Sequence, residues 1–190
     1  MKSILHYIFW PFNLLLLKYN GVVFHDFKIF GLMTVRNQGV FKIGRNVRIN
    51  SSRYANVIGG DSRTSFVIKK GASILLGDHV SLSNTAFYCN NSIIIDDYVM
   101  IGGSCKIWDG DFHPIDPELR KTHPREQFVT KPIHIGKSAF IGGCSIILKG
   151  VTIGRNAVIG AGSVVSRNVP DNEIWAGNPA VFVKKMEGYE

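Results

Sequence analysis

The sequence predicts an all-β chain that coils as a parallel β-helix, and three regularities support this prediction. From Ile135 to Pro170 an aliphatic residue recurs every six positions, a glycine often follows it, and a small or branched residue stands four positions later. Six is a multiple of the two-residue period of a strand, whereas a helix of 3.6 residues per turn would scatter the repeat around its surface. A six-residue period is typical of parallel β-helices. The aliphatic positions are Ile135, Ile141, Ile147, Ile153, Ile159 and Val165.

The N-terminal segment, residues 1–30, lies outside this repeat and is predicted to begin with an apolar helix. The run from Ile4 to Leu17 would reach about 21 Å as a helix, which is short of the roughly 30 Å hydrocarbon core of a bilayer. His6, Asn13 and Asn20 are seven residues apart and therefore share one helical face. Two interpretations remain open: a helix lying in a membrane interface, or a helix packed on the protein body or a neighbouring subunit.

The β-helix itself is predicted for residues 31–170. The repeat begins near Ile43, becomes irregular across the polar residues 51–63, and resumes with shifts of register. Solenoids tolerate such shifts where loops leave the coil. The C-terminal residues 171–190 are predicted to form a tail that contains a short helix, residues 181–187.

A loop leaves the coil at residues 109–131. Ile107 and Ile135 are separated by 28 positions, which is not a multiple of six, and the intervening stretch is rich in proline and charge. Long loops on a rigid repeat scaffold commonly carry function. The candidate active site is therefore expected on this loop.

Composition limits the possible partners and the compartment. With 22 basic and 14 acidic residues the net charge is +8, which favours an anionic partner such as a nucleotide or a phospholipid surface. No RNA-binding motif or DNA-recognition helix is evident, so nucleic acid is disfavoured. Cys89, Cys105 and Cys144 are odd in number and lack metal-ligand spacing, which predicts reduced, buried thiols in a cytoplasmic protein. A peripheral position on the inner face of the membrane remains an alternative.

His113 is the strongest candidate for chemistry on the loop. Asp109 and Asp111 precede it, and a carboxylate can hold an imidazole in one tautomer and stabilise its protonated form. Pro114 biases His113 away from helical dihedrals. These residue types predict a general base, although a histidine in a charged loop is also often an ordinary surface residue.

Three motifs in order resemble those of the hexapeptide-repeat acetyltransferases. They are the hexapeptide blocks, the loop from Phe112 to Lys121, and the ending AGNPA at residues 176–180. The resemblance covers roughly residues 67–186 and is closest to the galactoside and maltose O-acetyltransferases and to capsule or lipopolysaccharide O-acetyltransferases. It implies a left-handed parallel β-helix that assembles as a homotrimer, with acetyl-CoA bound between neighbouring subunits. The N-terminal third is not matched by the sugar acetyltransferases.

The resemblance also implies roles for individual residues. His113 falls on the family's catalytic base, which takes the proton from a substrate hydroxyl as that oxygen attacks the thioester carbonyl of acetyl-CoA. Direct attack needs no enzyme nucleophile. Gly143 matches the position whose backbone amide stabilises the oxyanion. The other matches are Ala161 and Ser166 along the pantetheine groove, Lys184, Arg167 and Lys185 near the cofactor's phosphates, and Asn84 near the acceptor hydroxyl.

Two departures from the family pattern concern the ligands. Val181 stands where the family usually has a basic residue, so the phosphate contacts of the cofactor are expected to be redistributed. The loop between His113 and Pro132 is a few residues longer than in the galactoside enzymes. That difference argues against a simple sugar as the acceptor.

The predicted function is transfer of an acetyl group from acetyl-CoA to a hydroxyl of a saccharide, such as a precursor of capsule, O-antigen or exopolysaccharide. An amine acceptor and a longer acyl chain remain open. A γ-carbonic-anhydrase-like metalloenzyme is one alternative, but Glu118 stands where its third histidine would follow His79 and His113, so no metal is predicted. A non-catalytic β-helix scaffold is the other alternative.

Overall fold

The computed structural model describes residues 2–122 and 128–188, and these form a left-handed parallel β-helix. The chain visits three parallel sheets in turn until its C-terminal end. Sheet A contains β1 (Val23–Phe24), β4 (Val40–Ile43), β7 (Ser73–Leu76), β10 (Ser92–Ile95), β13 (Ile133–Ile135) and β16 (Thr152–Ile153). Sheet B contains β2 (Phe27–Gly31), β5 (Val47–Ser51), β8 (Ser81–Ser83), β11 (Met100–Gly103), β14 (Phe140–Ile141), β17 (Val158–Ile159), β19 (Glu173–Gly177) and β20 (Ala180–Lys185). Sheet C contains β3 (Thr34–Asn37), β6 (Ser65–Ile68), β9 (Ala86–Cys89), β12 (Lys106–Trp108), β15 (Ile146–Ile147) and β18 (Val164–Val165).

The core fills the inside of the coil and consists of the residues that the repeat predicts. The six recurring aliphatic side chains from Ile135 to Val165 are fully buried, and the residues four positions later are at most 2% exposed. Earlier coils are filled by aromatic residues, and the rings of Phe66 and Phe87 stack with their centroids 4.8 Å apart. Each coil thus buries its own apolar residues on those of the next, which makes the scaffold rigid.

Turns between the sheets form three columns, named here the A–B, B–C and C–A corners after the sheets that they join. At the A–B corner the third turn residue has a positive φ, between 56° and 61°. Asparagine tolerates this conformation better than most residues. These turn residues are Asn46, His79, Tyr98, Ser138, Asn156 and Asn172.

Two longer segments leave the coil. Residues 52–64 extend from the B–C corner and contain a 3₁₀ helix, Val57–Gly59. Residues 109–122 and 128–132 leave the coil at the C–A corner, belong to the predicted loop, and include helix α2 (Pro117–Thr122). The candidates Asp109, Asp111 and His113 therefore lie outside the regular repeat.

Helix α1 (Lys2–Tyr19) covers the open end of the coil, where β2 and β3 are edge strands. The Asn13 side chain is buried; its Nδ2 donates to the carbonyl of Gly31 over 2.9 Å, and its Oδ1 accepts from the amide of Met33 over 3.2 Å. His6 Nδ1 lies 3.2 Å from the carbonyl oxygen of Ile29. Polar side chains of α1 thus satisfy backbone groups that an edge strand leaves unpaired.

Three expectations differ from the structure. The predicted C-terminal helix, residues 181–187, is wrong: β20 pairs antiparallel with β19, because β-branched valines favour a strand and β19 offers a free edge. The helical part of residues 1–30 ends at Tyr19, and strands begin at Val23. Cys144 is exposed rather than buried, since its positive φ of 62° places it at a B–C turn.

No helix within residues 2–122 and 128–188 is long and apolar enough to cross a membrane.

Asn13→Ala is expected to lower the free energy of unfolding by about 1–3 kcal/mol, because it leaves a buried amide and a buried carbonyl without partners. Urea denaturation followed by circular dichroism measures this change. Leu15→Ala is the control, since that side chain is 66% exposed and should change the stability little. Equal stability of the Asn13 variant and the wild type would contradict the role given to α1.

Candidate active site

His113 is exposed on the segment that leaves the coil after β12. Its two neighbours in sequence anchor it. The ring of Phe112 packs edge-on against Tyr88 and Trp108, with centroid distances of 5.0 and 5.7 Å, and Pro114 is buried. The imidazole is therefore presented to solvent from a short stretch of backbone that is held on both sides.

Asp109 is fully buried at the root of this loop. One carboxylate oxygen accepts from the amide of Asn90 and the other from the amide of Asn91, both over 2.7 Å. The thiol of Cys89 also donates to it over 3.2 Å. Burial, followed by the charge of Asp109, raises the pKa of Cys89, which keeps this thiol protonated as a donor. Asp109 thus joins the start of the loop to the turn after β9.

Asp111 pairs with Lys149, whose side chain comes from the turn between β15 and β16. Both side chains are about a quarter exposed. The Asp111 amide also donates to the carbonyl of Val129 over 3.1 Å, and Gly110 forms an antiparallel bridge with Thr130. These bonds tie the start of the loop to its end and to the neighbouring coil.

The expected contact of Asp109 and Asp111 with His113 is not present in the part of the chain that the structure describes. Both carboxylates instead bind groups from adjacent coils. The physical reason is geometric: the turns of the adjacent coils lie directly beside this corner, so their amides and the Lys149 ammonium reach the two carboxylates first. The two carboxylates therefore position the loop rather than the imidazole ring.

Gly143 and Ala161 lie one above the other at the B–C corner. The amide of Gly142 donates to Ile159 and that of Cys144 to Gly103, over 2.8 and 2.7 Å. The Gly143 amide between them has no acceptor among the described residues. An unengaged amide at this corner can donate to a ligand oxygen, as an oxyanion site requires.

The remaining predicted cofactor residues are exposed and distributed over other edges of the coil. Ser166 and Arg167 follow β18 at the C–A corner, the same column from which the His113 loop leaves. Lys184 and Lys185 lie on β20, at the end of sheet B. Sheet C separates the C–A corner from the B–C corner. The His113 segment and Gly143 therefore start from opposite edges of sheet C.

Asn84 is 2% exposed and lies beneath the 52–64 segment at the B–C corner. Its Nδ2 donates to the carbonyl of Ser62, and a Cβ added to Gly59 would clash with its side chain. The assignment of Asn84 to the acceptor site stays a prediction, and in this structure the extruded segment covers its side chain. Its positive φ of 48° and its buried amide make it a turn residue that holds that segment.

An aromatic wall on sheet C was not predicted as part of the site. Tyr88 and Trp108 are paired on adjacent strands and face outward, opposite to the inward Phe87 and Ile107. Period-two alternation places them on that face, but the sequence does not reveal that Phe112 folds back on them. Beside the wall is a groove of about 590 Å³, and its lining includes Leu16, Tyr19, Asn20, Arg36, Lys69 and Tyr88.

The metalloenzyme alternative finds no support in the geometry. His79 stacks on Tyr98 at the A–B corner, with ring centroids 4.6 Å apart, whereas His113 leaves from the C–A corner. No group of three or more His, Cys, Asp or Glu side chains suited to a metal ion occurs within residues 2–122 and 128–188.

Comparison with known proteins confirms the resemblance to hexapeptide-repeat acetyltransferases. The family described as bacterial transferase hexapeptide (six repeats) matches residues 132–167. Nodulation protein L of Rhizobium meliloti (strain 1021) is 42% identical over 62% of this chain, and the galactoside O-acetyltransferase of Lactococcus lactis subsp. lactis (strain IL1403) is 33% identical over 76%. The alignments span 63% of the length of each of these two relatives.

Among solved structures, AntD is an N-acyltransferase from Bacillus cereus in complex with dTDP and 3-hydroxybutyryl-CoA. It superposes on the chain with a TM-score of 0.71 at 25% sequence identity, and the match covers 90% of this chain and 87% of AntD. The similarity thus extends over nearly the whole coil of both proteins.

Asp109→Asn is expected to destabilise the protein by about 1–3 kcal/mol, because the amide group cannot accept from all four donors that surround the carboxylate. Asp111→Asn is the matched control, and the loss of its partly exposed ion pair should cost at most about 1 kcal/mol. Urea unfolding of both variants makes the comparison. The assignment of Asp109 to the loop root fails if the two variants are equally stable.

Proposed function

We propose that this chain is an acyltransferase that moves the acetyl group of acetyl-CoA to a hydroxyl of a saccharide, with His113 as general base. The observation that carries the proposal is the loop root, where Asp109 and the Asp111–Lys149 pair fix an exposed histidine at a corner of a rigid coil. Support from relatives comes from the L. lactis galactoside O-acetyltransferase and from the acyl-CoA complex of AntD.

The proposed reaction begins with a neutral imidazole. His113 takes the proton of the acceptor hydroxyl while that oxygen attacks the thioester carbonyl carbon. The carbonyl oxygen becomes an oxyanion, and the unengaged amide of Gly143 donates a hydrogen bond to it. When the tetrahedral intermediate collapses, the carbon–sulfur bond breaks, and the departing CoA sulfur takes the proton from His113. The acceptor leaves as an acetyl ester, and the histidine is neutral again.

We further propose that the active unit is a homotrimer. His113 and Gly143 lie at corners on opposite edges of sheet C, so a site with both needs two copies of the chain. A head-to-tail contact that closes after three copies gives each site the same composition. The cofactor then lies between subunits, along Ala161 and Ser166. Exposed cations for its phosphates are Arg167, Lys184 and Lys185, and they replace the basic residue that is absent at Val181.

The proposed acceptor is a lipid-linked precursor of a surface polysaccharide, such as capsule, O-antigen or exopolysaccharide. The aromatic wall of Tyr88, Trp108 and Phe112 next to His113 offers flat apolar surface for a sugar ring. Arg36 and Lys69 line the adjoining groove, where they can pair with the phosphates of a lipid carrier. Three free cysteines fit a reducing compartment, so we place the enzyme in the cytoplasm.

Transfer to an amine is the second candidate, because AntD is an N-acyltransferase with a coil that superposes over most of this chain. Matched acceptors that differ only in carrying a hydroxyl or an amine at one carbon separate the two candidates. Release of free CoA with the hydroxyl sugars alone supports the proposed O-transfer. Release with the amino sugars alone overturns it in favour of N-transfer.

His113→Ala is expected to lower kcat by about 10²–10⁴-fold, because it removes general-base catalysis. Free CoA, titrated with a thiol reagent in the presence of acetyl-CoA and a panel of lipid-linked glycans, measures the turnover. His134→Ala is the matched control, since this histidine lies on sheet A and bonds to Asp96 over 2.9 Å. Wild-type kcat in a correctly folded His113 variant would refute the mechanism.

A further inference from the structure

Helix α1 is amphipathic in the opposite sense from an ordinary surface helix. Leu17 and three polar residues face the protein: Asn13 is fully buried, and the side chains of His6 and of Asn20, which directly follows the helix, contact backbone groups of Ile29 and Asn37. The outward face is apolar, and six of its large side chains are more than half exposed. They are Ile4, Tyr7, Ile8, Phe12, Leu15 and Tyr19.

Their spacing makes one continuous surface. Ile4, Ile8, Phe12, Leu15 and Tyr19 follow one another by three or four residues, so they form a stripe along one side of the helix. Surface helices of globular proteins normally turn such a stripe toward the core. Since the hydrogen bonds of Asn13 and Asn20 fix the opposite side on the coil, this stripe is directed away from it.

The charge of the protein is concentrated at the same end. Residues 1–60 contain eight of the 22 basic residues and one of the 14 acidic residues. Arg45 and Arg53 pair with Asp78 and Asp61, which leaves five net positive charges at this end. The remaining 130 residues are nearly neutral. An apolar stripe at the positively charged end of the protein complements a surface that is apolar inside and anionic at its boundary.

We propose that α1 is a membrane-docking surface that lays the protein on an anionic lipid bilayer. The helix lies in the interface, with Ile8 and Leu15 directed into the acyl region and Tyr7 and Tyr19 at the level of the headgroups. The basic side chains of the first coils, such as Lys28 and Arg48, face the anionic headgroups. This placement explains both faces of the helix, since one face bonds to the coil and the apolar face contacts lipid.

With α1 docked on a bilayer, one end of the groove beside sheet C lies at the membrane. The groove begins at Leu16, Tyr19 and Asn20, near the C-terminal end of α1, and extends to Tyr88, on which Phe112 packs beside His113. A lipid-linked acceptor therefore has a path from the bilayer, past Arg36 and Lys69, to the imidazole. This last step rests on the proposed function, whereas the docking itself does not.

Sedimentation with vesicles tests the docking surface. The full-length protein should bind vesicles of phosphatidylglycerol and phosphatidylcholine and should bind pure phosphatidylcholine at least tenfold more weakly. Ile8→Ser/Leu15→Ser should abolish binding without lowering the unfolding temperature, because both side chains are exposed. Lys28→Gln/Arg48→Gln should weaken binding to the anionic vesicles about five-fold per charge.

Val57→Ser/Ile58→Ser is the matched control. It removes two apolar side chains that are more than 80% exposed on the 52–64 segment, and it should leave vesicle binding unchanged. Equal binding by the control and the α1 variant would overturn the proposal, as would failure of the wild type to bind anionic vesicles. A change of oligomeric mass in the α1 variant, measured by light scattering, would instead make the stripe a contact between copies and would also overturn it.

The proposed membrane docking and the proposed reaction can be tested separately. His113→Ala should bind vesicles as the wild type does. The Ile8/Leu15 variant should retain turnover on a soluble acceptor and lose it on the same glycan anchored in vesicles. Loss of both turnovers in that variant, with its fold intact, would contradict a role for α1 that is confined to docking.

Discussion

The structure depends on the stacking of inward-facing side chains along the coil. At every sixth residue from Ile135 to Val165 an aliphatic side chain is completely buried, and the small residue four positions later leaves room for the turn. Because each coil is supported only by its neighbours, the interior must be filled in every repeat. The corners then fall in straight columns, and residues far apart in sequence become neighbours along a corner.

This column geometry explains how a long loop can be held precisely. Asp109 follows β12 at the C–A corner, directly beside the turn at Asn90 and Asn91 in the preceding coil, and its carboxylate accepts from both amides. Lys149 reaches Asp111 from the following coil. The root of the loop is therefore fixed by both neighbouring coils. This also fixes the backbone position of His113, two residues after Asp111. The proposed base lies where the repeat is interrupted, and the repeat on both sides positions it.

Features that depend on neighbours in sequence could be predicted, whereas contacts between coils could not. The repeat period and the buried positions could be predicted because both depend on residues that are close in sequence, as the buried Ile141 and Ala157 illustrate. The loop after Ile107 could be predicted because its length is not a multiple of the six-residue period. The partners of Asp109 lie 18 and 19 residues earlier in the chain, and only the coil brings them together. The same holds for Asn84, since a segment from the preceding coil covers it.

At the two ends of the chain, contacts with the coil decide what the local sequence leaves open. Val181 to Lys185 fits a short helix as well as a strand, and the free edge of β19 decides for the strand. At the other end, the sequence shows that His6, Asn13 and Asn20 share a face of α1, but not which way that face points. The unpaired backbone of the edge strands decides it, because the buried amide of Asn13 satisfies groups that would otherwise lack partners.

The central claim is that the active site combines the His113 loop of one chain with the Gly143 and Ala161 corner of another. The most direct measurement mixes two inactive variants, His113→Ala and Ala161→Trp, by joint refolding and records CoA release. Because Ala161 is exposed at the cofactor corner, the tryptophan should block that groove and leave the coil intact. The account predicts that the mixture regains part of the wild-type turnover, since some sites then unite two unaltered halves. A mixture as inactive as either variant alone would contradict it.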